Sequence, residues 1–336
     1  MIMKKFVLFP VISLLTLSGC EKEFVETAPE NLYSAITVYK TPGLQSWVKE
    51  PEYHVMVYNN TQLIYSIDDK VPIRAAALLA HNRSTFLLLQ HTAENAKDAV
   101  FSVLKNGEKS FSFPKGTIVK AYEVQDGAFY SVSYDASVNP IPQELTLMRN
   151  GEVIKKVPSL HPVPDNSSRI VLSGEDIWQT INVDGVCTVY KNGTAVFTGG
   201  TMTGYYAEHA LYVEGDDAYV IRISADKEYH IWKNGEKIDE TYPAPDKDTD
   251  SVHRNNGQFF FTANHQGRTY AVRNKEIDKY SWYFFAIRWV DNDVYSISCD
   301  GNLFYLYQNH RPLYMLPLED AGHWKLDLNS VCLTSN

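Results

Sequence analysis

Val189-Tyr190-Lys191-Asn192-Gly193 and Ile231-Trp232-Lys233-Asn234-Gly235 lie 42 residues apart and share one pattern, an apolar residue and an aromatic followed by Lys-Asn-Gly. Asn-Gly between alternating apolar runs is a strong hairpin signal, because a type I′ turn needs positive φ at both central residues. Val103-Leu104-Lys105-Asn106-Gly107 and Leu147-Met148-Arg149-Asn150-Gly151 repeat the pattern, and weaker copies centre on Asn60, Asn274 and Asn309. The marker asparagines, 60, 106, 150, 192, 234, 274 and 309, are spaced by 46, 44, 42, 42, 40 and 35 residues.

A second hairpin precedes the first in most units. Leu211-Tyr212-Val213 turns through Glu214-Gly215-Asp216-Asp217 into Ala218-Tyr219-Val220-Ile221, and the same form recurs through Asp126-Gly127, Gly174-Glu175-Asp176, Asn255-Asn256-Gly257 and Asp291-Asn292-Asp293. Four strands per unit of about forty residues is the period of a β-propeller blade. The Asn60 hairpin has no clear preceding partner, whereas Trp324 to Leu328 and Val331 to Leu333, around Asn329-Ser330, read as an orphan first hairpin. Joining the two predicts an all-β, seven-bladed propeller of four-stranded antiparallel blades, closed by pairing of N- and C-terminal hairpins. Six blades with a loose end, eight with an extra sheet at Ala35 to Tyr39, and a pair of sandwiches are the competing counts.

Upstream of the repeats, Lys4 and Lys5 precede an apolar run from Phe6 to Leu17, as in a secretory signal. The run is too short for a lasting membrane span. Leu17-Ser18-Gly19-Cys20 resembles the lipobox of bacterial lipoproteins, which implies cleavage before Cys20 and its acylation. The expected organisation is therefore a lipoprotein signal peptide at 1–19, a tether at 20–34 and a propeller domain at 35–336. The repeats in turn resemble those of propeller-repeat lipoproteins of Gram-negative bacteria, with aromatic-Lys-Asn-Gly once per blade. That resemblance covers about Val55 to Leu333 and implies fold rather than activity. The lipobox resemblance implies a location in the cell envelope, at the outer membrane, with periplasmic or surface exposure left open.

The formal charge of −9 becomes −11 once Lys4 and Lys5 are removed, so a basic nucleic-acid footprint is not expected. Besides Cys20, the cysteines are Cys187, Cys299 and Cys332, at spacings that read neither as a disulfide framework nor as a zinc site. Asp246, Asp248 and Asp250 alternate as in a calcium loop, but Ser251 and Gly257 occupy the positions where Gly and Glu belong. No metal, cofactor or catalytic residue is assigned, since no nucleophile elbow, His-Glu-x-x-His, phosphate loop or Cys-x-x-Cys occurs.

Turns between strands one and two, and three and four, of a blade lie on one face; the remaining connections lie on the other. The first set is short and repetitive here, and the second is long and irregular. Loops that break a repeat are where repeat proteins place binding. The expected ligand-binding residues are His161, Tyr205, Tyr206, His209, Tyr242, Trp282, Tyr283 and Trp324, whose rings can stack on a sugar or pack on a protein partner. Several of these could equally be packing residues at strand ends. Two classes of function follow: a monomeric binding or scaffolding module for a glycan or protein ligand, tethered through Cys20, or a carbohydrate-active enzyme with acids and histidines at the channel mouth.

Overall fold

The computed structural model describes residues 31–40, 50–91, 98, 100–137, 144–160, 169–183, 186–201, 205–245, 251–265, 268–273, 275–279, 284–290, 293–300, 303–316 and 325–335. Among these, 28 strands form seven four-stranded antiparallel sheets. The closing blade holds β1 (Leu32–Lys40), β2 (Glu52–Asn59), β3 (Gln62–Asp69) and β28 (Lys325–Ser335). Blade two is β4 (Ile73–His81), β5 (Ser84–His91), β6 (Val100–Lys105) and β7 (Glu108–Ser112). Blade three is β8 (Thr117–Gln125), β9 (Ala128–Asp135), β10 (Glu144–Arg149) and β11 (Glu152–Pro158). Blade four is β12 (Arg169–Ser173), β13 (Asp176–Val183), β14 (Val186–Lys191) and β15 (Thr194–Thr201). Blade five is β16 (Tyr205–Glu214), β17 (Asp217–Ser224), β18 (Glu228–Lys233) and β19 (Glu236–Pro243). Blade six is β20 (Ser251–Asn255), β21 (Gln258–His265), β22 (Arg268–Arg273) and β23 (Glu276–Lys279); blade seven is β24 (Phe284–Val290), β25 (Asp293–Asp300), β26 (Leu303–Gln308) and β27 (Arg311–Leu316).

Each member of the Lys-Asn-Gly triad has its own structural task. The asparagines at 60, 106, 150, 192, 234 and 309 sit in the left-handed region, with φ between 45° and 54°. Asn106, Asn150, Asn192, Asn234 and Asn309 each reach back to the second strand of their own blade. There the side-chain Oδ1 accepts the N–H of Thr85, Phe129, Ile177, Ala218 or Val294 at 2.8–3.1 Å, and the backbone N–H of the asparagine donates to the carbonyl of that same residue. The side chain thus supplies an acceptor where a further strand residue would, which a glycine at the same φ cannot do. The cation before it lies over the ring that follows the bonded residue: Lys105 over Phe86, Arg149 over Tyr130, Lys191 over Trp178 and Lys233 over Tyr219, at 5.0–5.8 Å. The glycine seats the previous blade. A Cβ on Gly107 would stand 2.9 Å from the Tyr65 ring, and one on Gly151 would stand 2.9 Å from Phe111.

The outer strands are blunted as partners for other sheets. In six of the seven pairs between third and fourth strands a bulge falls shortly after the turn, as at Leu147/Met148 and Val57/Tyr58. Bulges twist an edge away from pairing.

Seven apolar clusters fill the seven gaps between adjacent blades. Leu78 and Leu87 meet Val55 and Val57 across one gap, and Ile297 and Leu306 meet Ile36 and Val38 across another. The remaining five clusters join blades two to seven in sequence. Packing is therefore continuous round the ring.

Closure takes a different form from the expected joining of two hairpins. Asn329-Ser330 makes no turn; both residues lie inside β28, a single strand that pairs antiparallel with β1, Leu32 facing Ser335 and Tyr39 facing Lys325. A bulge between Ile36 and Val38 absorbs the irregularity. The sheet order β28-β1-β2-β3 gives the C-terminus one strand of the closing blade and the N-terminal part three. Ala35 to Tyr39 accordingly fills the second position of the closing blade and founds no eighth sheet. The domain also begins before 35, because Leu32, Tyr33 and Ser34 are 1–3 % exposed in β1.

Candidate functional site

Strand directions divide the ring into two unlike faces. On the short-turn face the recurrent polar side chains are engaged within and between blades. Asn192 and Asn234 donate through Nδ2 to Asp176 and Asp217, and Lys191 and Lys233 pair with the same two carboxylates at 2.8 Å. These contacts hold both aspartates below the usual carboxylate range; for Asp176, burial opposes the shift. Between blades, Glu123 accepts the Gly174 N–H at 2.6 Å and Arg254 bonds Glu214. Burial raises Glu123, with the Gly174 bond pulling the other way. This chemistry is spent on holding turns and blades in place.

The opposite face carries every connection between second and third strands and between successive blades. Its best-described part is the upper end of the closing blade beside blade two. Tyr39 and Tyr53, opposite each other in β1 and β2, stack with ring centroids 6.1 Å apart and planes 21° from parallel. On the opposite side of that sheet, toward blade seven, Lys40 pairs with Glu52 at 2.7 Å, and His54 Nδ1 lies 2.6 Å from Asp68 Oδ1, with Nε2 3.9 Å from Glu52. Across the gap to blade two His91 Nδ1 is 3.9 Å from Asp69, and Arg74 Nε donates to Gln90 at 2.8 Å. All of these side chains are half-buried or exposed. The long-loop end of this blade thus offers a stacked tyrosine pair with Asp69 and His91 on its blade-two side and a histidine–carboxylate group on its blade-seven side, groups suited to stacking on and hydrogen-bonding a polar ligand at the rim.

Of the residues expected to bind, Tyr242 lies elsewhere. It is 2 % exposed at the end of β19, packed edge-on against Phe259 and Phe261, and its hydroxyl accepts the Phe259 N–H at 3.2 Å. Burial pushes its phenol far above the ordinary value. Its side chain projects into the gap between blades five and six, where packing excludes a ligand. Tyr205, Tyr206 and His209 fall in the half of β16 near the long-loop face, Tyr205 opposite Ser224 and His209 opposite Arg222, with a bulge between. Only their backbone is described. His161, Trp282, Tyr283, Trp324 and Cys20 lie outside the described residues. Arg222 itself is 1 % exposed; burial raises the nearby Cys187 thiol to about 11 against the pull of that guanidinium.

That Tyr39, Tyr53, His54, Asp68 and His91 come to the same rim was not legible. They come from four strands of two blades, and no motif links positions that far apart. The one sequence signal available was the aromatic at each end of the connection between β1 and β2. Among the described residues, no group of three or more His, Cys, Asp or Glu side chains could hold a metal ion.

The fold and its two faces define a seven-bladed β-propeller with a polymorphic loop face and a structural turn face. No protein family and no curated protein matches the chain. Among solved structures it is similar to KlHsv2 with loop 6CD replaced by a Gly-Ser linker, at 10 % identity over 85 % of this chain and 93 % of that one, with a TM-score of 0.47. A protein of unknown function from Bacteroides caccae shares 11 % identity over 90 % and 98 % of the two chains, TM-score 0.42. YCF48 bound to D1 peptide shares 12 % over 77 % and 84 %, TM-score 0.42. At these levels the likenesses carry no argument about function.

Proposed function

We propose that the chain is a non-catalytic binding or scaffolding propeller, held to the cell envelope through an acylated Cys20, that takes a glycan or protein ligand on its long-loop face. The observation that supports this reading is the division between faces. Recurrent polar residues of one face are committed to turns and blade contacts, while the other gathers the dissimilar loops and the Tyr39–Tyr53 cluster. Tyr205, Tyr206 and His209 belong to the same face through β16, and His161, Trp282, Tyr283 and Trp324 through the connections between blades. Tyr242 is left out of the proposed surface.

The test is capture of immobilised glycans and envelope proteins by a soluble form starting at Glu21, which keeps β1 whole. Tyr39→Ala, His54→Ala and a Tyr205→Ala/Tyr206→Ala pair should each weaken capture at least tenfold while leaving the melting temperature within a few degrees. A Glu236→Ala change on the short-turn face should have no effect. Capture that survives all three long-loop changes would sink the assignment.

A further inference from the structure

From the closing blade and the length of chain ahead of it, we infer that the short-turn face lies against the lipid surface and the long-loop face is presented away from it. The inference rests on acylation of Cys20, proposed above, and goes beyond it by fixing which face meets the membrane. The observation is the direction of β1. Leu32 pairs with Ser335, and its carbonyl accepts the N–H of Asn60 in the short turn between β2 and β3 at 2.8 Å. The start of β1 and the end of β28 thus sit on the short-turn face, and β1 runs from there toward the long-loop face at Lys40.

The extension that each orientation demands of the tether separates the two. Twelve residue steps separate Cys20 from Leu32. At about 3.3–3.6 Å per residue they span roughly 40 Å when fully stretched. A flexible chain of that length has a root-mean-square extension of about 20 Å. To lay the long-loop face on the bilayer, the tether must climb the height of the blade, about 27 Å for a strand of this length. It must first pass one strand inward to the axis or two strands outward to the rim, a further ~5–10 Å. Either route takes some 32–37 Å before the loops or the depth of the acyl chains are counted, which leaves the tether nearly taut. With the short-turn face down, the same tether stays close to its relaxed length. Glu21, Glu23, Glu26 and Glu30 add self-repulsion but no reach. Loop-face residues such as Tyr39 and His54 are thereby held clear of the lipid headgroups, where a large polar ligand can approach.

The experiment uses the acylated full chain in vesicles of phosphatidylethanolamine and phosphatidylglycerol carrying a headgroup energy-transfer acceptor. Single donors are attached in a Cys299→Ser background at Glu175→Cys or Glu236→Cys on the short-turn face, and at Lys115→Cys or Ser137→Cys on the long-loop face. Transfer should be at least twofold higher from 175 and 236 than from 115 and 137. Inserting twenty Gly/Ser residues after Glu21 should largely erase that difference. Equal or reversed transfer in the unmodified chain overturns the orientation. Cys20→Ser tests the anchor separately: release from the vesicles with loss of transfer at all four sites supports it. If that release occurs while the unmodified chain shows equal transfer, the orientation fails and the anchor stands; if the Cys20→Ser protein stays bound, both fail.

Discussion

Asn234→Ala should destabilise the propeller by about 3 kcal/mol, a large effect for an exposed turn residue. Removing Oδ1 strands the N–H of Ala218, whose residue is fully buried and whose bond to Asn234 is 2.9 Å long. A buried unpaired donor costs about 1–3 kcal/mol. Loss of the Nδ2 bond to Asp217 adds about 0.5 kcal/mol, and alanine at a φ near 49° adds about 1 kcal/mol. Asn234→Gly removes both bonds but fits the left-handed backbone, so it should cost roughly 2 kcal/mol. Asn256→Ala, also at φ 49° but exposed, should cost only the conformational part, about 1 kcal/mol. Urea denaturation of the three variants separates these contributions, and at about 2 °C per kcal/mol for a domain of this size the first should melt some 6 °C lower. If Asn234→Ala and Asn256→Ala lose the same amount, the tie to the second strand is not what selects asparagine, and the account of the repeat fails.

Deleting 325–336 removes β28 and bares the inner edge of β1 together with the apolar gap around Ile36 and Val38, both 0–1 % exposed. A loss above about 5 kcal/mol is expected, with aggregation, and a variant melting within two degrees of the parent would refute closure as the source of ring stability. Gly151→Ala should cost about 3 kcal/mol, because the new Cβ meets Phe111 at 2.9 Å at a φ of +86°, while Gly215→Ala, with nothing within 4 Å and a φ of +61°, should cost nearer 1 kcal/mol; similar melting points for the two would show that the glycine does not seat the neighbouring blade. Burial lowers the imidazoles of His230 and His310 below their ordinary value. Their stabilising contribution is therefore intact above about pH 6.5 and is lost as the pH falls, because the unfolded chain takes up the proton first. The double variant His230→Gln/His310→Gln should lose less melting temperature between pH 7.5 and 5.5 than the parent; an identical drop would remove these two residues from the acid response.

Much of the fold was legible because blade formation is a local matter. Asn-Gly demands positive φ wherever it occurs, and alternation around it sets both strands, so the blades could be counted from turns alone. The closing blade was half misread for the opposite reason. Residues 32–38 are buried on both faces and so lack the alternation of a half-covered strand, and Asn329-Ser330, turn-like by composition, is held straight by pairing with β1. Tyr242 was misplaced because a residue at a strand end can point into a blade gap or out to solvent, and the neighbouring blade decides which.

By itself the sequence determined the repeat, the number of blades and the face on which dissimilar loops gather. Each of these rests on contacts within about forty residues or on a short motif. Tertiary structure alone decided that the closing blade takes one strand from the C-terminal part and three from the N-terminal part, that β1 starts at the short-turn face, and that the Tyr39–Tyr53 stack and the His54–Asp68 pair reach one end of that blade on opposite sides of its sheet. Those facts depend on the order of strands in a sheet and on the packing of one blade against the next, neither of which leaves a periodic trace along the chain.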